Sequence, residues 1–183
     1  MRTLTVTEFV SLDGVMEAPG GEAGYAHAGW VGPYFDEKVG AFKLAEQLAA
    51  DVLLLGRKTY DSFYGAWPAR DGEMADKINS MTKNVVSSTL GSSDWTDTHV
   101  ISYDEVRALK EDGDGSILVA GSKSLVHALL RDRLVDSLHL QVFPVMLNSG
   151  IRVFPEQPER IDLELVSSET SGTGVLLQKY RVL

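Results

Sequence analysis

The sequence contains no cysteine, and this absence excludes disulfide bonds, cysteine-ligated zinc or iron–sulfur sites and a thiol nucleophile. Long hydrophobic runs are also absent, since apolar stretches such as Val52 to Leu55 are far too short to span a bilayer. Residues 1–7 alternate polar and apolar side chains and lack the hydrophobic core of a signal peptide. We therefore expect a cytoplasmic protein that binds no membrane.

Positive charge is scarce as well, with 17 lysines and arginines against 26 aspartates and glutamates and a formal net charge of −9. Binding to nucleic acid needs a basic face, so we expect no nucleic-acid partner. The 4 histidines have no metal-ligand spacing, and we expect no metal site. An acidic chain can still hold a phosphate-rich cofactor where a few cations are placed locally.

The chain has 183 residues, 44% of them hydrophobic, and no internal repeat or linker, which predicts a single domain over residues 1–183. Alternation predicts a strand at 3–10, and a glycine-dense loop over 14–33 precedes a helix at 35–50. The other predicted elements are strands at 52–55, 84–86, 99–102 and 116–120, helices from about 59 and at 74–81, 103–111 and 123–132, and final strands at 135–143, 161–169 and 174–182. This order predicts a three-layer α/β/α fold with a mixed, mostly parallel sheet and antiparallel C-terminal strands.

Three predicted strand ends carry glycine, hydroxyl or basic residues. In open α/β sheets, ligands bind at the carboxyl ends of the strands, where helix N-termini attract anions. One such turn alone is typical of an ordinary capped helix start, whereas three in one sheet predict an extended ligand with more than one phosphate. The three turns are Gly56-Arg57-Lys58-Thr59, Ser87-Ser88-Thr89 and Gly121-Ser122-Lys123-Ser124.

The first of these turns has two adjacent cations, Arg57 and Lys58, and Thr59 is expected to cap the helix that follows. A pair of cations beside free helix N–H groups suits a phosphate monoester such as the 2′-phosphate of NADPH. The Walker and Rossmann glycine patterns are both absent, so the residues by themselves leave the ligand open.

Several segments resemble the dihydrofolate reductase superfamily. Residues 54–63 resemble its MGRxTxxS segment, residues 85–88 its hydrophobic strand end with serine, and residues 117–122 its glycine turn. Residues 134–154 are similar to a narrower motif, LhDEhxLxhxPhhLGxGxxhF, of the reductase domain of the bifunctional riboflavin-biosynthesis deaminase–reductase and its stand-alone relatives. Residues 11–14, Ser-Leu-Asp-Gly, resemble the opening motif of that group.

The chain departs from these patterns at two positions. Ser122 stands where dihydrofolate reductases have the second glycine of a pair joined by a cis peptide bond, and Asn148 stands where the narrower group has glycine. Asparagine tolerates left-handed backbone, which makes the second change mild. The deaminase half of the bifunctional enzyme needs zinc-binding cysteines, so the resemblance extends to the reductase step alone.

The resemblance implies an NADPH site built from the three turns. The first turn would hold the 2′-phosphate and pyrophosphate, the second would contact the adenosine 2′-phosphate, and the third would face the pyrophosphate and nicotinamide. The segment from Asp13 and Gly14 onward would lie over the nicotinamide and the substrate. We expect residues 14–33 to be mobile and to close over both.

Aromatic residues near the end of this loop are candidates for substrate binding. Trp30, Tyr34 and Phe35 would form a wall for a flat heterocycle, and loop packing is the alternative. Aligning on Trp30 and Pro33 places the proton-managing carboxylate of dihydrofolate reductase at Phe35 or Asp36.

Asp13 and Asp36 are therefore the two catalytic candidates. The ordinary alternatives are a turn residue for Asp13 and a first-turn helix carboxylate for Asp36. We expect Asp13 to matter more, because the riboflavin-type motifs favour a substrate held through its hydroxyl groups.

Together these features predict an NADPH-dependent reductase of the riboflavin-biosynthesis type that reduces a C=N bond in a heterocyclic substrate by hydride transfer. A dihydrofolate reductase and an NADPH-binding module without turnover are the alternatives. We expect a homodimer with contacts from residues 135–183, where Leu138, Leu140, Val142 and Phe143 are apolar.

Overall fold

The computed structural model describes residues 1–156 and 159–183, whose contacts divide into two compact units. The first unit comprises residues 1–6 and 44–135, and the second comprises residues 7–43 and 136–183. The expected single domain over residues 1–183 stays a prediction. The elements are β1 (Thr3–Ser11), α1 (Glu37–Ala49), β2 (Val52–Gly56), α2 (Arg57–Ala66), α3 (Glu73–Ser80), β3 (Thr82–Val86), β4 (Thr98–Ile101), α4 (Glu105–Glu111), β5 (Ser116–Val119), α5 (Lys123–Arg131), β6 (Ser137–Phe143), β7 (Leu163–Thr170) and β8 (Leu176–Val182).

The strands form one mixed sheet in the order β4-β3-β2-β5-β1-β6-β8-β7. The pairs β1–β5, β2–β5, β2–β3 and β3–β4 are parallel. The pairs β6–β8 and β7–β8 are antiparallel, and a turn that begins at Ser171 joins β7 to β8. The α/β class, the mostly parallel sheet and the antiparallel C-terminal strands are confirmed. Parallel pairing also brings the carboxyl ends of β2, β3 and β4 to one edge of the sheet.

The core of the first unit is built around β2. All five residues of β2 are buried, as its unbroken apolar run predicts for a strand covered on both faces. Leu53 and Leu55 pack with Tyr60, Ile78 and Trp95 in one cluster. The buried strand therefore gives the turn at Gly56 a rigid starting point.

The core of the second unit is centred on Phe143, which is fully buried among Val15, Val39, Val175 and Leu177. Strand β6 alternates, so Leu138 and Leu140 are buried as well. These residues, which the sequence offered as dimer contacts, are core residues instead. Three apolar side chains of the edge strand β7 are exposed instead, and they are Leu163, Leu165 and Val166.

One boundary prediction needs correction, and one predicted loop shows more order than its sequence indicates. Helix α2 begins at Arg57, so Thr59 lies inside its first turn and the prediction that Thr59 caps the helix is wrong. The loop over 14–33 contains a short 3-10 turn at Gly32–Tyr34, and its residues Val15 and Val31 are buried. Local sequence signals mark turn-forming residues, but they do not tell which loop side chains reach a core.

Lys83 of β3 is a fully buried lysine with a defined structural role. Its Nζ donates hydrogen bonds to the carbonyl oxygens of Ile78 (3.1 Å), Asn79 (2.9 Å) and Met81 (2.7 Å), at the C-terminal end of α3. The amine also lies 4.8 Å from the ring centroid of Trp95. Burial lowers the pKa of Lys83 to about 8 against the opposing charge of Asp97. Lys83 therefore satisfies carbonyls that a helix end leaves without partners.

We expect Lys83→Met to lower the free energy of unfolding by about 2–4 kcal/mol, because it leaves buried carbonyl groups without donors. Urea denaturation measures this loss. The matched control is Lys77→Met, a half-buried lysine of α3. Equal losses in the two variants would contradict the capping role.

Candidate functional site

A cleft of about 420 Å³ opens in the first unit. This volume lies in the range of small-molecule sites. It is lined by Arg57, Lys58, Val86, Ser87, Ser88, Thr89, Ser102, Tyr103, Ser122 and Ser124. Seven of the residues predicted to bind a cofactor are among them, from all three turns.

The turns after β2 and β5 are joined by hydrogen bonds. The Gly56 N–H donates to the carbonyl oxygen of Gly121 at 3.0 Å. The Thr59 N–H donates to Ser122 Oγ at 3.1 Å, and the Thr59 hydroxyl donates to the same oxygen at 3.2 Å. Ser122 therefore caps α2 from a distant part of the sequence, although it directly precedes α5. The peptide bond between Gly121 and Ser122 is cis, as in the Gly-Gly turn of the resembling superfamily.

Gly56 is required by this close approach. A Cβ atom at position 56 would lie 2.6 Å from Ser122 Oγ and 2.8 Å from the Ser122 nitrogen. No side chain fits at such distances without displacing the neighbouring backbone. The motif glycine thus marks where two strand ends come together.

Arg57 is oriented by its own helix. Its Nε donates to both carboxylate oxygens of Asp61, at 2.8 and 3.0 Å, and its Nη1 reaches Thr89 Oγ1 at 3.4 Å. Lys58 beside it is exposed. Two cations and the N-terminal residues of α2 and α5 thus line one cleft, and both features are of the kind that attracts anions.

The strand end after β3 is shaped by Ser87. Its Oγ accepts hydrogen bonds from the N–H groups of Thr89 (3.2 Å) and Leu90 (3.1 Å). This turn leaves Ser88 and Thr89 exposed at the cleft. Lys123, the first residue of α5, is exposed too, while Gly56, Thr59 and Gly121 form the turns behind the lining.

Ser102 and Tyr103 were missed by the sequence interpretation. They follow β4, a fourth strand whose carboxyl end reaches the same edge. The N–H and hydroxyl of Ser102 donate to Glu105 at 2.7 and 2.8 Å. The spacing Ser-x-x-Glu is a capping-box pattern at the start of the helix predicted at 103–111, and this signal would have added Ser102 to the candidate residues at the strand ends.

The remaining predicted site residues lie in the second unit. Asp13 follows β1, and its carboxylate accepts hydrogen bonds from Ser11 Oγ (2.7 Å) and from the N–H groups of Leu147 (3.1 Å) and Asn148 (2.9 Å). The Ser11 hydrogen bond is the main cause that lowers the pKa of Asp13 to about 2. Gly14, next to it, accepts from the N–H of Val153.

Asp36 directly precedes α1 and has a similar set of partners. Its carboxylate accepts from the Val39 N–H (3.0 Å), the Thr173 N–H (3.1 Å) and the Thr173 hydroxyl (3.2 Å). The Val39 hydrogen bond is the main cause that lowers the pKa of Asp36. Asp36 thus acts as a helix cap that also holds the turn between β7 and β8.

The three aromatic candidates have different surroundings. Trp30 is buried, its Nε1 donates to the carbonyl oxygen of Glu17 at 2.8 Å, and its ring contacts Phe143 edge to face at 5.3 Å. Tyr34 is half-buried against Phe143, and Phe35 is 46% exposed. Of the three, Phe35 is the ring that remains most open to a ligand.

Metal-binding clusters and membrane-spanning helices are both absent from the part of the chain that the structure describes. Residues 1–156 and 159–183 contain no group of three or more histidine, aspartate or glutamate side chains that could hold a metal ion. Within the same residues, no helix has the length and apolar character needed to cross a bilayer.

The family model described as RibD C-terminal domain matches residues 2–177. The chain belongs to the RibD C-terminal domain family. It is also 28% identical over 181 residues to the uncharacterized protein YyaP of Bacillus subtilis, covering 93% of this chain and 90% of that one. This assignment confirms the group that the motifs at residues 11–14 and 134–154 resemble.

Solved structures agree on the fold. A candidate riboflavin biosynthesis protein from Shewanella sp. PV-4 superposes with a TM-score of 0.75 at 19% identity, covering 99% of both chains. Dihydrofolate reductase from Enterococcus faecalis, complexed with NADP(H) and RAB-propyl, superposes with a TM-score of 0.65 at 16% identity, covering 98% of this chain and 96% of that one. The dihydrofolate reductase-like fold is therefore confirmed for this member of the RibD C-terminal domain family.

Asp13 should make the stability of the protein depend on acid pH. Its pKa in the folded state, about 2, lies below the ordinary value of 3.8, so between these values the unfolded chain binds more protons. The stabilisation is present above about pH 4 and is lost as the pH falls towards 2. We expect Asp13→Asn to remove this part of the pH dependence and to speed amide exchange at Leu147 and Asn148.

Urea denaturation between pH 2.5 and 6 and hydrogen exchange by NMR measure the two effects. Asp94→Asn, which changes an exposed aspartate, is the control for the loss of one charge. Unchanged exchange at both amides in Asp13→Asn would refute the loop-holding role.

Proposed function

We propose that the chain is an NADPH-dependent reductase of the riboflavin-biosynthesis type, acting on a C=N bond of 5-amino-6-(5-phosphoribosylamino)uracil or a close analogue. The cleft of the first unit carries this proposal, since it combines Arg57 and Lys58 with serine and threonine hydroxyls at two helix N-termini. Membership of the RibD C-terminal domain family supports the reaction class.

The residues of the cleft fit a dinucleotide that carries a 2′-phosphate. Arg57, held by Asp61, presents the rest of its guanidinium group towards Thr89, where charge-assisted bonds to a phosphate would form. Ser87 and Ser88 would contact the same phosphate. The free N–H groups at the start of α5, from Ser122 to Ser124, suit the pyrophosphate. When bound, NADPH supplies the hydride.

The two carboxylates are proposed to shape the substrate side. A group that donates a proton near neutral pH needs a raised pKa, whereas hydrogen bonds lower the pKa of both Asp13 and Asp36. We propose that each acts through the loop that it holds. The Asp36 carboxylate is already bonded to Val39 and Thr173, whereas the folate reaction requires a carboxylate on the first helix that manages the substrate proton.

The decisive experiment follows NADPH oxidation at 340 nm with the riboflavin pyrimidine precursor, with dihydrofolate and with simple imines. We expect turnover with the pyrimidine precursor. Turnover with dihydrofolate alone would support the folate alternative. Cofactor binding without any turnover would support a binding module.

We expect Arg57→Ala to weaken NADPH binding by about 10-fold or more and to leave NADH binding nearly unchanged, because the guanidinium pairs with the 2′-phosphate. Calorimetric titration of both cofactors measures the preference. Arg160→Ala, which removes an exposed arginine paired with Asp162, is the control. An equal preference for NADPH over NADH in Arg57→Ala and in the unmodified protein would contradict the pairing of Arg57 with the 2′-phosphate.

We also propose that two copies associate through β7. This strand lies at the edge of the sheet, and Leu165 and Val166 on it are 52% and 62% exposed. An exposed apolar edge strand invites pairing with a second copy.

Light scattering at micromolar concentration should give the mass of a dimer, and Leu165→Lys should give a monomer, because burying an unpaired charge opposes association. Leu12→Lys, at a leucine that is 64% exposed, is the matched control. A monomeric mass for the unmodified protein would contradict this proposal.

A further inference from the structure

Tyr103 is an aromatic residue in a cleft lined otherwise by hydroxyls, cations and the aliphatic Val86. It directly follows the Ser102 turn after β4 and is half-buried. The sequence motifs assign it no role. Its chemistry differs from that of its neighbours, which suit phosphate groups and not a base.

The hydroxyl of Tyr103 is already committed. It donates a hydrogen bond of 2.7 Å to Asp132 Oδ2, at the C-terminal end of α5. Burial, followed by the bond to Asp132, raises the pKa of Tyr103, so the phenol keeps its proton. The part of Tyr103 left for a ligand is therefore its ring.

We propose that Tyr103, positioned by Asp132, contributes cofactor affinity by holding the adenine ring of the cofactor against its aromatic side chain. This inference rests on the proposed NADPH function. Stacking on an aromatic side chain needs no charge on the ligand and is made by any adenosine nucleotide. Tyr103 should thus contribute equally to the binding of NADPH and NADH, whereas Arg57 distinguishes them.

Calorimetric titration with NADPH and NADH tests these separate roles of Tyr103 and Arg57. The variants are Tyr103→Leu, Tyr103→Phe and Arg57→Ala. We expect Tyr103→Leu to raise both dissociation constants by the same factor, about 10-fold or more, which is the size of one base–aromatic contact. Tyr103→Phe keeps the aromatic ring and should lose much less affinity for either cofactor. Arg57→Ala should change the ratio of the two constants, which Tyr103→Leu leaves unchanged.

Asp132 is tested by a double-mutant cycle. Asp132→Ala should weaken the binding of both cofactors less than Tyr103→Leu does. In the Tyr103→Leu background it should cause little further loss of affinity, because Asp132 acts through the tyrosine. Asp132→Asn keeps an acceptor oxygen and should restore most of the affinity. Additive losses would overturn the positioning role.

Three outcomes separate this inference from the function beneath it. If the unmodified protein binds neither NADPH nor adenosine 2′,5′-bisphosphate, both proposals fail. If Arg57→Ala weakens NADPH binding while Tyr103→Leu binds both cofactors normally, the adenine role alone is overturned. A changed NADPH-to-NADH ratio in Tyr103→Leu, with its thermal unfolding unaltered, would also overturn it, since Tyr103 would then read the phosphate.

Discussion

The cleft depends on one close approach, between Gly56 at the end of β2 and the turn Gly121–Ser122 after β5. A backbone hydrogen bond between Gly56 and Gly121 joins the two strand ends. Ser122 Oγ supplies the cap that the first turn of α2 lacks in its own sequence. This contact lies where α2 and α5 begin. As a result, Arg57 and the free N–H groups of α5 meet at a single cleft, although more than 60 residues separate them along the chain.

Much of the fold is predictable from the sequence because the relevant signals are local. Unbroken apolar runs such as β2 mark buried parallel strands. Because parallel strands bring their carboxyl ends to one edge of the sheet, the amino-acid sequence alone is enough to predict that the turns at Arg57 and Ser87 lie together. The cap of α2 is not predictable in this way. Its oxygen comes from Ser122, 63 residues after Thr59, and a serine that precedes one helix gives no local sign that it caps another.

The second unit shows how two distant motifs come to occur together. The Ser-Leu-Asp-Gly motif and the segment around Asn148 are joined by the Asp13 carboxylate, which accepts the N–H groups of Leu147 and Asn148. Asn148 has a φ of +60°, left-handed backbone that asparagine tolerates better than most residues, which explains why it can replace the family glycine. The role of Trp30, in contrast, is not predictable from local sequence. An aromatic residue in a glycine-rich loop suggests ligand stacking as well as core packing, and only the tertiary structure shows that Trp30 is buried against Phe143.

Charge raises a last constraint on the proposed cofactor. A chain with a net charge of −9 repels an anionic dinucleotide at long range, but at physiological salt such repulsion is screened beyond about 8 Å. Affinity must then come from groups in direct contact, where helix N–H groups and two adjacent cations act over short distances. Asp61 and Asp132 are not among the residues that line the cleft, and they accept hydrogen bonds from Arg57 and Tyr103, which do line it, so these carboxylates orient residues of the cleft. An acidic protein can in this way use part of its own negative charge to align the few groups that would bind an anion.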